Sequence, residues 1–159
     1  MKVWSGKLDC SFKGETRWEL HEELWFKSQE ISKNHDIWKE LGVRVAKSSA
    51  GYSRVYAKKG LDTDLASIPR FVWFFISPWD LARPSVIHDV LYSGLREALK
   101  NKTLDEKTIE KLRLSADQVF VEAGQQTEPP VAKWRINLSY LAIRAFGDAA
   151  IRKDGILQD

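Results

Sequence analysis

Hydrophobic and polar positions alternate in short runs up to about residue 80, and beyond it they recur every three to four residues. Trp4 to Phe12, Arg17 to Lys27 and Val43 to Lys47 read as strands, and Val55-Tyr56-Ala57 as another running into the turn Lys58-Lys59-Gly60. Between them, Gln29 to Lys33 suits a hairpin connection, and His35 to Leu41 a short helix or turn. His21 and His35 lie in polar surroundings and are expected to face solvent. The later half predicts three helices. The first runs from Pro84, a first-turn residue whose missing N–H costs nothing there, to the polar stretch Lys100-Asn101-Lys102. Val86, Ile87, Val90, Leu91 and Leu95 give it a broad apolar surface. Thr103 followed by Glu106 reads as a capping box for the second helix. Its stripe is Ile109, Leu112, Ala116, Val119, Phe120 and Ala123, and Gly124 with Pro129-Pro130 ends it. The third begins near Val131 and reaches Gly147 or a little beyond, with Trp134, Leu138, Leu141, Ala145 and Phe146 expected inward. Strands first and helices after predict an α+β fold in a single domain, 1–159, strand-rich over 1–80 and helical over 81–159.

Composition narrows the partners. The chain of 159 residues can bury a core without staples. Its 25 basic residues are interleaved with 22 acidic ones, so a net charge of +3 does not point to nucleic acid. One cysteine, Cys10, excludes a disulfide framework and a multi-cysteine zinc site. Seven tryptophans suit a core of bulky rings better than ligand stacking. No transmembrane segment is expected, because the most apolar run, Phe71 to Trp79, is too short and carries Pro78. No signal peptide is expected either, since the opening residues turn polar at once.

Three segments carry polar residues that a simple core would not choose. Thr63 to Arg70 holds Asp64, Ser67 and Arg70; its plainest reading is a local turn in which Asp64 and Ser67 cap and Arg70 forms an ion pair. His88-Asp89 interrupts an apolar helix, with Tyr92 one turn on; the plain reading pairs Asp89 with Arg70 or Arg144. Asp117 borders the apolar face of the second helix, with Arg113 as its plain intrahelical partner. Taken together the three change the balance. If the two helices pack antiparallel, Asp117 meets His88, and a histidine oriented by a carboxylate is a general-base arrangement. A second carboxylate beside it suits a hard cation. No G-x-S-x-G elbow, H-E-x-x-H or P-loop occurs, so water or another small nucleophile is what His88 would activate.

At these residues the chain resembles domain-of-unknown-function family 1353, common in tailed phages and prophages. Its pattern is a Lys-Gly turn, T-D-x-A-S-I-P-R, H-D-x-L-Y, A-D-x-x-F and a helix ending R-x-F-G. Here these are Lys59-Gly60, Thr63 to Arg70, His88 to Tyr92, Ala116 to Phe120, and Arg144 to Gly147. The resemblance implies a phage virion or host-cytoplasm setting, with virion or host-envelope components as partners. More distantly, H-D-x-x-Y on one helix and D-x-x-F on the next are similar to the helical core of secreted phospholipase A2. That likeness implies a three-helix phospholipase A2-like core with His88, Asp117 and Tyr92 as catalytic and supporting residues. It also implies calcium on Asp89 and Asp64, with Ser67 and Arg70 in support and no other cofactor. The glycine-rich calcium loop and the disulfides of that family are absent, and Lys100 to Lys111 reads as a charged insertion. The resulting expectation is a metal-assisted ester hydrolase; the alternative is a non-enzymatic virion or host-interaction protein with a structural polar core.

Overall fold

A computed structural model of the chain describes residues 1–14, 17–63 and 80–153. β1 (Cys10–Gly14) and β2 (Arg17–Leu20) pair antiparallel, and β6 (Asp62–Thr63) adds to the far edge of β2. A second sheet sets β5 (Ser53–Ala57) between β3 (Leu24–Ser28) and β4 (Val45–Lys47). Leu24, Phe26 and Ser28 on β3, and Ser53, Val55 and Ala57 on β5, are buried in the period of two that a half-covered sheet requires.

The expected strand Arg17–Lys27 is two strands in two sheets, because His21, Glu22 and Glu23 are all exposed and break the alternation. Residues 4–9 form no strand; Trp4 makes an isolated bridge to Phe26, and its indole N–H reaches the Gln126 carbonyl at 2.9 Å. Gln29–Lys33 is not a hairpin connection but helix α1, since Ser28 Oγ caps it by accepting from the Ile31 N–H at 3.0 Å. α2 spans His35–Glu40. His35 is buried, 8% exposed, with Nδ1 3.0 Å from Ser53 Oγ, contrary to its expected exposure. Its polar sequence neighbours hid a partner that arrives from another strand. His21 is exposed, lying 3.2 Å from Asp9 and 2.7 Å from Ser11 on an open sheet face.

The three long helices follow as predicted: α3 (Ala82–Asn101), α4 (Glu106–Gln125) and α5 (Lys133–Lys153). Lys102, in the left-handed region, closes α3. The cap of α4 is Asp105 rather than Thr103: Asp105 Oδ1 accepts from the Thr108 N–H at 2.8 Å, while the Thr103 hydroxyl turns back to the Ala98 carbonyl. α3 and α4, joined by four residues, run back along each other and bury Val86, Ile87, Leu91 and Leu95 against Leu112, Ala116, Val119 and Phe120. α5 lies across them with Ile136, Ser139, Ile143, Gly147 and Ile151 inward. Trp134, Leu141, Ala145 and Phe146, expected inward, are exposed, and Leu138 is half-buried. The helix carries apolar residues on two faces, so periodicity alone could not say which one the core takes. One hydrophobic core runs from Trp4 to Ile151, and no described helix is long and apolar enough to cross a membrane.

Candidate functional site

The geometry centres on the α3–α4 seam. Pro84 sits in the first turn of α3, and His88 and Tyr92 follow at one-turn intervals on the face that meets α4. Their rings lie tilted against each other with centroids 4.0 Å apart, and Phe120 meets the imidazole edge to face at 5.8 Å. Asp117, flanked on α4 by the buried Ala116 and Phe120, projects into the same seam. His88 Nε2 lies 2.8 Å from Asp117 Oδ1, and Tyr92 donates its hydroxyl to that oxygen at 2.7 Å. His88 and Asp117 are fully buried.

Arg144, from the third helix, completes the cluster. Its Nη1 donates to Asp117 Oδ2 at 2.7 Å and its Nη2 to Glu110 Oε1 at 2.6 Å. Arg113 lies 3.7 Å from Asp117 Oδ2, with its guanidinium given chiefly to Glu110 at 2.8 Å and 3.0 Å. The plain intrahelical pairing thus exists but is the weaker one. Burial pushes the Asp117 carboxyl up, yet the bonds from His88, Tyr92 and Arg144 outweigh it and hold the group below the ordinary carboxylate range. Burial raises the Tyr92 phenol, and the neighbouring Asp117 charge raises it further, so it stays a donor. An ionised carboxylate only accepts hydrogen bonds, which assigns the proton of a neutral His88 to Nε2. Nδ1 is left as the lone-pair nitrogen, buried and, among the described residues, without a hydrogen-bond partner.

Gly147 belongs to this site and was visible in the sequence only as the end of R-x-F-G. A Cβ there would run into the Tyr92 hydroxyl, with Tyr92 Cζ at 3.2 Å and Arg113 Nη1 at 3.3 Å. The absent side chain is what lets α5 approach closely enough for Arg144 to reach Asp117. Glu110 carried no signal in the sequence, because its role depends on a helix 34 residues away.

Asp89, next to His88, is half-buried and accepts from Thr63 Oγ1 at 2.5 Å. Of the two arginines offered to Asp89, Arg144 goes to Asp117, and Arg70 lies outside the described residues. The Thr63 contact brings the start of the T-D-x-A-S-I-P-R segment to α3. Asp64, Ser67 and Arg70, and the run Phe71 to Trp79, lie outside the described residues. Among those described, no three His, Cys, Asp or Glu side chains cluster as a metal cage.

Comparison with known proteins places the chain in a family before it places it in a function. The profile of a family described as "Protein of unknown function (DUF1353)" matches residues 35–143, more than half of the chain. That span holds His88, Asp89, Tyr92 and Asp117 and stops one residue before Arg144. No curated protein and no solved structure matches.

Proposed function

The chain belongs to the DUF1353 family, and from that premise we propose that it is a hydrolase of esters in which His88 is the general base. One observation carries the proposal: Asp117 lies 2.8 Å from Nε2 of the imidazole, while Nδ1 has no hydrogen-bond partner among the described residues. In the proposed reaction Nδ1 takes a proton from water as the oxygen attacks the ester carbonyl carbon. The imidazolium is supported across the ring by Asp117 and returns the proton to the departing alkoxide. Tyr92 and Arg144 position Asp117 and do not touch substrate. The setting proposed with this activity is that of a phage or prophage protein, with virion or host-envelope components as partners.

Calcium enters the proposal only through Asp89, with Asp64 as its second carboxylate, and no step above runs through it. A second reading rests on a different fact: His88 and Asp117 are sealed from solvent, and Asp117 is already neutralised by Arg144. A buried ionic network can persist because it makes the fold unique. The experiment offers purified protein a panel of phospholipids and small esters, with calcium and with chelator, alongside His88→Ala and His88→Gln. The hydrolase reading expects turnover that falls about 10²–10⁴-fold in both variants while the fold is kept. No turnover in either condition, with His88→Ala destabilised and His88→Gln close to the wild type in stability, would leave the structural reading.

A further inference from the structure

Five buried side-chain nitrogen or oxygen atoms have no hydrogen-bond partner among the described residues: Trp38 Nε1, Arg54 Nε, Arg135 Nε, Ser85 Oγ and His88 Nδ1. The first three are scattered over α2, β5 and α5. The last two belong together. Ser85 precedes His88 by three residues on α3, so the two side chains are neighbours on one face, with Cβ atoms about 5–6 Å apart. A helical side chain leans back over the turn before it, and the turn before His88 is the one that carries Ser85. Both residues are closed off from solvent, at 1% and 0% exposure.

The idle hydroxyl is not what a helix gives by default. A serine inside a helix commonly turns its hydroxyl to the carbonyl four residues back. Ser139 does so on α5, donating to the Arg135 carbonyl at 2.9 Å. The corresponding carbonyl for Ser85 is that of Leu81, which takes the Ser85 backbone N–H at 2.9 Å and not the hydroxyl. A buried donor has therefore passed over its local acceptor, one turn from a buried acceptor that it does not bond directly. Buried polar groups of this kind are nearly always satisfied, and by ordered water where no protein atom serves.

We propose that Ser85 Oγ and His88 Nδ1 hold one buried water molecule between them. Two hydrogen bonds of about 2.7–3.0 Å meeting at one oxygen span about 4–6 Å, which suits side chains one turn apart. The polarity is fixed as well. Asp117 keeps the ring proton on Nε2, so Nδ1 only accepts, and the water gives it one hydrogen. The serine hydroxyl donates to the water oxygen, which keeps a second lone pair uncommitted. On the ester-hydrolase reading, on which this step rests, that water is the nucleophile. Its free lone pair bonds to the carbonyl carbon while the hydrogen held toward Nδ1 passes to the ring. Ser85 makes no bond to the ester and serves to hold the water.

A high-resolution crystal structure of the full chain reads the site without any substrate. It should show one water oxygen within hydrogen-bond distance of both atoms, and Ser85→Ala should lose it. In solution the ¹⁵N resonance of His88 Nδ1 should move downfield in Ser85→Ala, toward that of a bare lone pair. With an ester that turns over, kcat of this variant should fall about tenfold at unchanged KM, because the lost bond orients the nucleophile and not the ester. No water between the two atoms overturns the proposal, as does a water that survives Ser85→Ala in place. An unchanged kcat overturns the catalytic role of that water. A water bound as described in a protein without turnover upholds the site and removes the hydrolase reading alone.

Discussion

Replacing Gly147 by alanine sets two opposed effects against each other, and the structure decides between them. Gly147 lies inside α5, where alanine is ordinarily favoured by about 0.8–1.0 kcal/mol. At this position the new methyl would collide with the Tyr92 hydroxyl and stand 3.2 Å from Cζ and 3.3 Å from Arg113 Nη1. Tyr92 is a rigid ring, buried and bonded to Asp117 at 2.7 Å, so it cannot swing clear as a flexible chain end would. Either the ring shifts and loses a bond to a charged acceptor, worth about 1.5–3 kcal/mol, or α5 is pushed away at an overpacking cost of about 1–3 kcal/mol. After the helix-propensity gain is subtracted, the net loss is about 1 kcal/mol. At roughly 2–4 °C per kcal/mol for a chain of this size, Tm should fall by about 2–4 °C.

The assay is paired thermal and denaturant unfolding of Gly147→Ala, Tyr92→Phe and the double variant. Tyr92→Phe removes the colliding oxygen, so the alanine should cost little or even stabilise in that background. The cycle should therefore show a coupling well outside the few tenths of a kcal/mol typical of independent sites. Gly124→Ala is the control, because its Cβ meets only the Ile136 side chain, nearest at 3.3 Å. A Gly147→Ala protein as stable as the wild type, or one whose loss persists undiminished with Tyr92→Phe, would refute the claim that this glycine makes room for the tyrosine.

Two further outcomes follow from the caps and charges. Asp105→Ala should cost about 0.5–2 kcal/mol through loss of the α4 cap, while Thr103→Ala should be near neutral in the same denaturant titration. The depressed Asp117 carboxyl adds stability above its ordinary value of 3.8, and that stability is lost as pH falls through the lower folded value. Unfolding free energy measured between about pH 3 and pH 7 should fall at the acid end, and Asp117→Asn should show a shallower fall there.

The helices were legible because their signals are local. Pro84, the run Val86 to Leu95 and the stripe Ile109 to Ala123 each state a helix and its face within a few turns. His88, Tyr92 and Asp117 were legible for a related reason: polar groups interrupting apolar faces must find partners, and two neighbouring helices leave few choices. What failed depended on distant chain. His35 looked exposed because its neighbours are polar, but Ser53 comes from a strand 18 residues on. Arg70 and Arg144 were both open as partners of Asp89, because nothing in the α5 segment says which carboxylate it reaches; Arg144 goes to Asp117, and Arg70 lies outside the described residues. Trp134, Leu141, Ala145 and Phe146 on α5 were expected inward because an apolar stripe at helical spacing does not record what it packs against.

The two readings of the buried network differ in what they ask of position 88. Asp117 already receives Tyr92 and Arg144 at 2.7 Å each, so a structural role needs from residue 88 no more than one further donor. An imidazole supplies that donor at Nε2 and also brings a second buried nitrogen, which without a partner costs about 1–3 kcal/mol. A network selected only for packing has no use for that nitrogen. Glutamine separates the two roles. Its amide N–H₂ donates toward Asp117 from a chain of similar reach, and its oxygen cannot hold a transferred proton. If His88 serves the fold, His88→Gln should keep most of the wild-type stability and any hydrolytic activity should survive it. If His88 is the base, the same variant should stay folded and lose turnover to the extent that His88→Ala does. The variant separates the two because a lone pair held in a fixed tautomer is what histidine offers at this position that a simpler donor does not.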